Sequence, residues 1–252
     1  PAEAKYDNEH FVFDAATGTI TEYTGESYRL DVPETIDGVS VRTIGANAFN
    51  GNWNLIYLTL PEGLTAIEDG AFESAYQLSF VEFPSTLRTI GNRAFYNYRG
   101  GKLMLPEGLE RIGDEAFYRC SVRGTLVLPE GLKEIGDSAF ARSIFMHTLD
   151  LPSTLETIGE HAFEDVSLSY VYMDGLTPPK VAKTAFAECT SLADIELNEY
   201  CTKQQMLDLQ AIIDEAGLSC RVWRYENTQT SMAKGASYIY NPNNSDEVYL
   251  VG

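Results

Sequence analysis

The sequence predicts an α/β repeat solenoid: a right-handed superhelix with a parallel β-sheet along one face, short helical turns and irregular structure along the other, and a cap at each end. Three observations carry that expectation. The dipeptide Ala-Phe recurs with Phe at positions 49, 72, 95, 117, 140, 163 and 186, in steps of 22 or 23 residues. A longer pattern keeps phase with it in LTLPEGLTAIEDGAF, LMLPEGLERIGDEAF, LVLPEGLKEIGDSAF and LDLPSTLETIGEHAF, and more loosely in VEFPSTLRTIGNRAF. No Pro/Gly/Ser-rich linker divides the 252 residues, of which 44% are hydrophobic, so one continuous body with a sizeable core is expected.

Residues 1–27 form the first unit, an N-terminal β-hairpin cap, because FVFDAATGTITEYTG reads as two alternating runs joined by a Gly-containing turn. Residues 28–197 are the solenoid, about seven coils. Its first coil is five residues longer than the others, since Val32 to Ile44 is 12 positions and Leu60 to Ile67 is 7.

Within a coil each consensus position has a physical role. The L-x-L-P element alternates, so Leu58 and Leu60, or Leu149 and Leu151, face a core while the residue between them faces solvent. Pro61, Pro84, Pro106, Pro129 and Pro152 end the strand, because proline has no N–H for the ladder. The next apolar pair, such as Leu132 and Ile135, turns the chain back over the core. The glycine that follows (Gly45, Gly91, Gly113, Gly136, Gly159) permits a bend, with Glu68 as the exception.

Asp69, Asn92, Asp114, Asp137 and Glu160 lie three residues before each Phe, where Asp and Asn suit the N-cap of a short helical turn. The same column offers hard oxygens to calcium, but capping accounts for each residue separately and no metal is assigned. The Ala of Ala-Phe belongs where coils touch, and the Phe rings belong in a column along an axis rising about 4.8 Å per coil. One such coil cannot bury its own apolar face, so stability must come from stacking. MDGLTPPKVAKTAF, with Thr177-Pro178-Pro179 in the turn and Val181-Ala182 for Ile-Gly, marks the last coils.

Residues 198–225 are the C-terminal helix-strand cap. Met206, Leu209, Ile212 and Ile213 have helical spacing after Thr202 as N-cap, Gly217 ends the helix, and the strand CRVWRYE follows. Residues 226–252 are a tail in which a hairpin around NPNN is one reading.

Composition narrows the function classes. Lys and Arg total 18 against 37 Asp and Glu, a net charge of -19 that repels nucleic acid and anionic lipid alike. No apolar run approaches the roughly 20 residues that span a bilayer, and the start, PAEAKYDNEH, has neither the basic nor the apolar region of a secretory signal. Four cysteines are too few for a disulfide scaffold, and no CxxC pair is present. Cys120 and Cys189 occupy a small-residue position shared with Ala75, Ser143 and Val166, which suits small buried side chains. Pairing of Cys201 with Cys220 stays open, though a helix of about 14 residues between them spans about 21 Å and the chain would have to double back.

His10, His147 and His161 fall in different parts of the repeat, RGGK lacks a phosphate loop around it, and no GxSxG, Walker or Rossmann pattern occurs. No catalytic residue, metal or cofactor is therefore assigned, and the chain is read as a binding protein rather than an enzyme.

One surface stands out. The outward residues of successive L-x-L strands include Tyr57, Phe80, Lys102, Met104, Tyr170 and Tyr172, six candidates for ligand binding on a face expected to be concave. Exposed aromatics suit a recognition surface; cross-strand packing within a β-rich face favours the same residue types. Both readings stand at this point.

The repeated LPxxLxxIGxxAF signature, over roughly residues 10–225, resembles the treponemal-type, or BspA-like, leucine-rich repeats of bacterial surface proteins. The resemblance implies a leucine-rich-repeat superhelix, a secreted or cell-surface location, and adhesion to a host extracellular matrix or plasma protein such as fibronectin or fibrinogen. A glycan ligand stacked on Tyr57, Tyr170 or Tyr172 is the alternative, and the lack of Trp on that face counts against it.

Overall fold

The structure is a computed structural model that describes residues 10–122, 124–145, 147–224, 237–240 and 248–251. It is a repeat solenoid with two strand-built walls per coil where the sequence suggested one. The first wall is the two-residue element ending in the coil's Ile or Val: Thr43–Ile44, Ala66–Ile67, Thr89–Ile90, Arg111–Ile112, Glu134–Ile135, Thr157–Ile158 and Lys180–Val181. These pair in parallel with Ile above Ile, and the hairpin Phe11–Asp14/Thr19–Tyr23 joins at Thr19, giving one nine-stranded sheet. A two-residue alternation is too short to read as a strand in one coil. It becomes one because equal coil lengths hold like residues opposite each other.

The L-x-L elements build the second wall, in pieces. Arg29–Asp31, Tyr57–Thr59 and Phe80–Glu82 form a parallel three-stranded sheet, and Thr148–Leu151, Tyr170–Met173, Asp194–Leu197 and Arg221–Arg224 form a parallel four-stranded one. Between them, among the described residues, this wall's strands pair through the isolated bridges Met104 to Val127 and Val127 to Asp150. The interruption falls where the repeat shortens to 22 residues, between Phe95 and Phe117.

The segments around Ala-Phe are turns and not the short helical turns expected from their Asp and Asn positions. Asn47, Arg93, Glu115, Ser138 and His161 have positive φ, and so do Gly51, Asn97, Arg119, Arg142 and Asp165 four residues later. This conformation turns the backbone N–H groups toward the next coil. Phe117 N–H donates to the Ala139 carbonyl at 2.8 Å, flanked by Glu115 to Asp137 at 2.8 Å and Arg119 to Ala141 at 2.9 Å. A helix would have bonded those groups within its own coil.

The Asp/Asn column caps the neighbouring coil instead of a helix. Asp69 Oδ1 accepts from Asn92 N–H at 2.7 Å, Asn92 Oδ1 from Asp114 at 2.8 Å, Asp114 Oδ1 from Asp137 at 2.9 Å, and Asp137 Oδ1 from Glu160 at 2.7 Å. This ladder explains the glycine beside it. A Cβ on Gly91 would lie 2.6 Å from Asp69 Oδ1 and 2.7 Å from the Asp69 nitrogen. Glu68 can break the glycine pattern because the preceding coil carries Ala46 at the acid position; the Glu68 carboxylate accepts from Ala46 N–H at 3.0 Å.

The core lies between the walls and the turns. Its spine is the Phe column, buried throughout, with stacked rings 4.9 Å apart at Phe49–Phe72, 5.3 Å at Phe95–Phe117 and 5.6 Å at Phe140–Phe163. Tyr23 of the N-terminal hairpin extends the stack, 5.0 Å from Phe49. The lengthened first coil accommodates a small hairpin, Thr35–Ile36 with Val39–Ser40, turned at Asp37 and Gly38 with φ of 51° and 80°.

At the other end the helix Lys203–Glu215 starts at Thr202, whose side chain accepts from Gln205 N–H while the Gln205 side chain accepts from Thr202 N–H. Met206, Leu209 and Ile213 bury its apolar stripe, and Gly217 follows with φ 72°. All four cysteines, Cys201 and Cys220 included, are free and buried. Ser237–Tyr240 and Val248–Val251 pair antiparallel as a hairpin would require, and the NPNN turn between them lies outside the described residues.

Candidate functional site

Alternation along each L-x-L strand fixes what its outer surface presents. Leu58, Val81, Leu103 and Leu126 are buried, which forces their neighbours outward. Tyr57 and Phe80, directly opposite one another, are each 45% exposed with ring centroids 6.3 Å apart. Met104 and Val127 continue the apolar surface at 60% and 65% exposure, and Lys102 is exposed beside them.

Tyr170 and Tyr172 belong to the same wall but to a different environment. Both are half-buried. The Tyr170 hydroxyl donates to the Glu196 carboxylate, and the Tyr172 hydroxyl donates to Asp174 at 3.0 Å. Burial pushes the Glu196 carboxyl up from its ordinary pKa, and burial together with the Asp174 contact raises the Tyr172 phenol. Beside them Arg221 pairs with Asp194 at 2.6 Å. The six candidates thus divide into an exposed group, Tyr57, Phe80, Lys102 and Met104, and a half-buried pair whose hydroxyls are already bonded.

Trp is not missing from the face. Arg221–Arg224 joins the wall in parallel register, with Val222 inward and Trp223 outward beside Glu196. The cap strand does more than close the end, and its alternation extends the repeat surface by one strand. A second group escaped the sequence reading: Trp53, Tyr76 and Ile144, exposed by 73%, 54% and 69%, each four residues after the Phe of its coil. Their shared register was the available signal.

Grooves of about 790 Å³ lie beside each of the two walls. One follows the proline corner of the first three coils, lined by Asp31, Pro33, Glu34, Pro61, Glu82 and Pro84 among others. The other runs over the Ile wall below the capping helix, where Arg111, Glu134, Lys180 and Ile212 contribute.

For acid–base or metal chemistry the placements are unpromising. His147 Nδ1 lies 2.9 Å from the Ser167 carbonyl and His161 lies beside Glu164 at 3.0 Å, in different coils. Among the described residues no group of three or more His, Cys, Asp or Glu could hold a metal ion. Burial pushes the Cys120 and Cys220 thiols up to about 12, away from the thiolate a nucleophile needs.

With this geometry, family membership can be decided. The BspA type leucine rich repeat region matches in six copies over residues 42–169 and 124–206, well over half of the chain. The chain belongs to the BspA-type leucine-rich repeat family. Among solved structures it is similar to a leucine rich cell surface protein of Faecalibacterium prausnitzii A2-165, at 23% identity and a TM-score of 0.63 over 92% of this chain. That match covers 57% of the Faecalibacterium chain, so this chain spans little more than half of it. It is also similar to the T. pallidum leucine rich repeat protein TpLRR, at 20% identity and a TM-score of 0.48, covering 84% of this chain and 94% of that one. No curated protein matches the sequence. No helix among the described residues is long and apolar enough to cross a membrane.

Proposed function

We propose that this BspA-type repeat protein is a secreted or cell-surface binding protein, without catalytic activity, whose leucine wall docks a protein partner of the host surface or extracellular matrix. The observation that carries the reading is a pair of exposed apolar steps on neighbouring strands, Tyr57 beside Phe80 at one outward position and Met104 beside Val127 at the next. Side chains of this size gain most when a partner removes them from water, and aromatic and Met residues are enriched in interface cores. The test is a panel of immobilised matrix and plasma proteins probed with wild type and with Tyr57→Ala/Phe80→Ala/Met104→Ala. Any ligand found should lose at least tenfold in affinity with that variant. Undiminished binding of every ligand by the triple variant contradicts the reading.

A glycan ligand is the second reading, and Trp223 favours it. An indole on one side of Glu196 and Tyr172 on the other provide two aromatic surfaces around a carboxylate acceptor, at the opposite end of the wall from Tyr57. A glycan array probed with Trp223→Ala separates the two readings, because that substitution leaves the Tyr57 region intact.

A further inference from the structure

We propose that the first three coils form a docking groove for an extended, cationic protein segment, one in which a Lys or Arg stands two residues from an aromatic or large aliphatic residue. The proposal rests on the reading of the leucine wall as a protein-binding face and names the chemistry of the partner.

Three observations converge on these coils. The aromatic pair Tyr57 and Phe80 offers an uncovered apolar surface. One step further along the same strands lie Thr59 and Glu82, with Asp31 in register beside Thr59, and the strands then run into the groove bounded by Pro33, Pro61 and Pro84. Among the described residues the carboxylates of Asp31, Glu34 and Glu82 make no hydrogen bond or ion pair; Glu62, by contrast, is held by Ser85, whose N–H and hydroxyl both donate to it at 3.0 Å. The charge around them is one-sided. Through the third coil, residues 10 to 100, the Lys and Arg are Arg29, Arg42, Arg88, Arg93 and Arg99, against eleven Asp and Glu, and Arg88 and Arg93 already pair with Glu110 and Glu73. Arg29, opposite Tyr57 on the terminal strand, bounds the patch on one side and Lys102 on the other.

Spacing sets the ligand pattern. Outward residues two apart on a strand are separated by about 6.6 Å, so the aromatic row and the acidic row run parallel at that distance. An extended segment lying along the strands has the same two-residue repeat, which puts an apolar side chain over Tyr57 and Phe80 while a cation two residues away meets Asp31, Glu34 and Glu82. The prolines and Thr59 provide a wall without a competing positive charge. Opposite charge across the contact also speeds encounter and rejects acidic partners. The groove over the Ile wall has no such bias, because Arg111 and Glu134 already pair there at 3.0 Å.

The test uses the full chain and fluorescent ten-residue peptides read by anisotropy at 50 and 300 mM NaCl. One peptide repeats Phe-Thr-Lys-Thr, a second replaces its Lys by Glu, and a third replaces its Phe by Ser. The Phe/Lys peptide should bind at least tenfold more tightly than either of the others and weaken at the higher salt. Asp31→Asn/Glu34→Gln/Glu82→Gln and Tyr57→Ala/Phe80→Ala should each reduce its affinity at least fivefold, with Asp150→Asn as a control that changes nothing. Thermal unfolding by circular dichroism checks that the variants fold. Equal binding of the Phe/Lys and Phe/Glu peptides, equal binding of the Phe/Lys and Ser/Lys peptides, or no binding up to 1 mM (about −4 kcal/mol), overturns the proposal. If matrix ligands depend on Tyr57 and Phe80 while the neutralised triple variant binds them undiminished, the protein-binding face stands and the cationic partner falls.

Discussion

The Ile wall and the leucine wall come from the same repeat and meet the same Phe column, yet they differ in continuity and in what their outer surfaces do. The Ile wall runs unbroken through nine strands, and its outward charges answer one another: Lys133 pairs with Glu110 at 2.9 Å, and Arg111 with Glu134 at 3.0 Å. Next to it the Asp/Asn ladder ties each coil to the following one. The leucine wall is broken near Met104, and its N-terminal outer face includes the exposed Tyr57 and Phe80 and the carboxylates of Asp31 and Glu82, which have no partner among the described residues. Regularity on one side stabilises the stack, which leaves the other side's outer positions to vary without cost to folding.

Substitutions can break or sharpen that contrast. The largest effect belongs to the column both walls share. Phe117→Ala opens a cavity between Phe95 and Phe140 and should cost about 3–5 kcal/mol in urea unfolding. Next comes the ladder beside the Ile wall. Gly91→Ala drives a methyl into the Asp69 carboxylate and should cost about 1–3 kcal/mol. In an Asp69→Ala background the same substitution should cost less, since the carboxylate contact is gone while the backbone contact at 2.7 Å remains, and a double-mutant cycle reads this coupling. An additive result would show that backbone crowding alone demands the glycine.

On the leucine wall the expected changes are smaller and one has the opposite sign. Glu196 has a folded pKa raised by burial, so the native state holds its proton to higher pH than the unfolded chain does. Stability from this group is therefore lost as pH rises from the ordinary carboxyl range through the raised value. Glu196→Gln should flatten that fall, making the variant the more stable partner at pH 7 and indistinguishable near pH 3 in paired urea titrations. Smallest of all, Lys133→Ala removes an exposed ion pair and should shift stability by less than about 1 kcal/mol. A loss well above that would mean that the outer charges, and not the ladder and the core, hold the Ile wall together.

Legibility in the sequence followed the range of the contact. Inward and outward positions of the L-x-L strands, the first hairpin and the helix start at Thr202 were readable because each is encoded by residues a few positions apart, and the Phe column because one residue type repeats in phase. The candidate face was readable as a row, so Tyr57, Phe80, Lys102 and Met104 are where alternation puts them. Tyr170 and Tyr172 were read by the same rule, but their hydroxyl partners, Glu196 and Asp174, depend on coil stacking and side-chain reach. Trp223 was missed because nothing local says that the strand after the helix continues the wall.

By itself the sequence determined the period, the buried positions and the family, since a repeated in-phase pattern has one economical way to bury its apolar residues. Tertiary structure alone decided that two-residue elements ending in Ile form a nine-stranded sheet, that Asp and Asn cap the neighbouring coil where a glycine leaves room for them, and which aromatics remain uncovered. The physical reason is common to all three. These contacts join residues about one repeat apart, and they exist only once the coils are stacked in register.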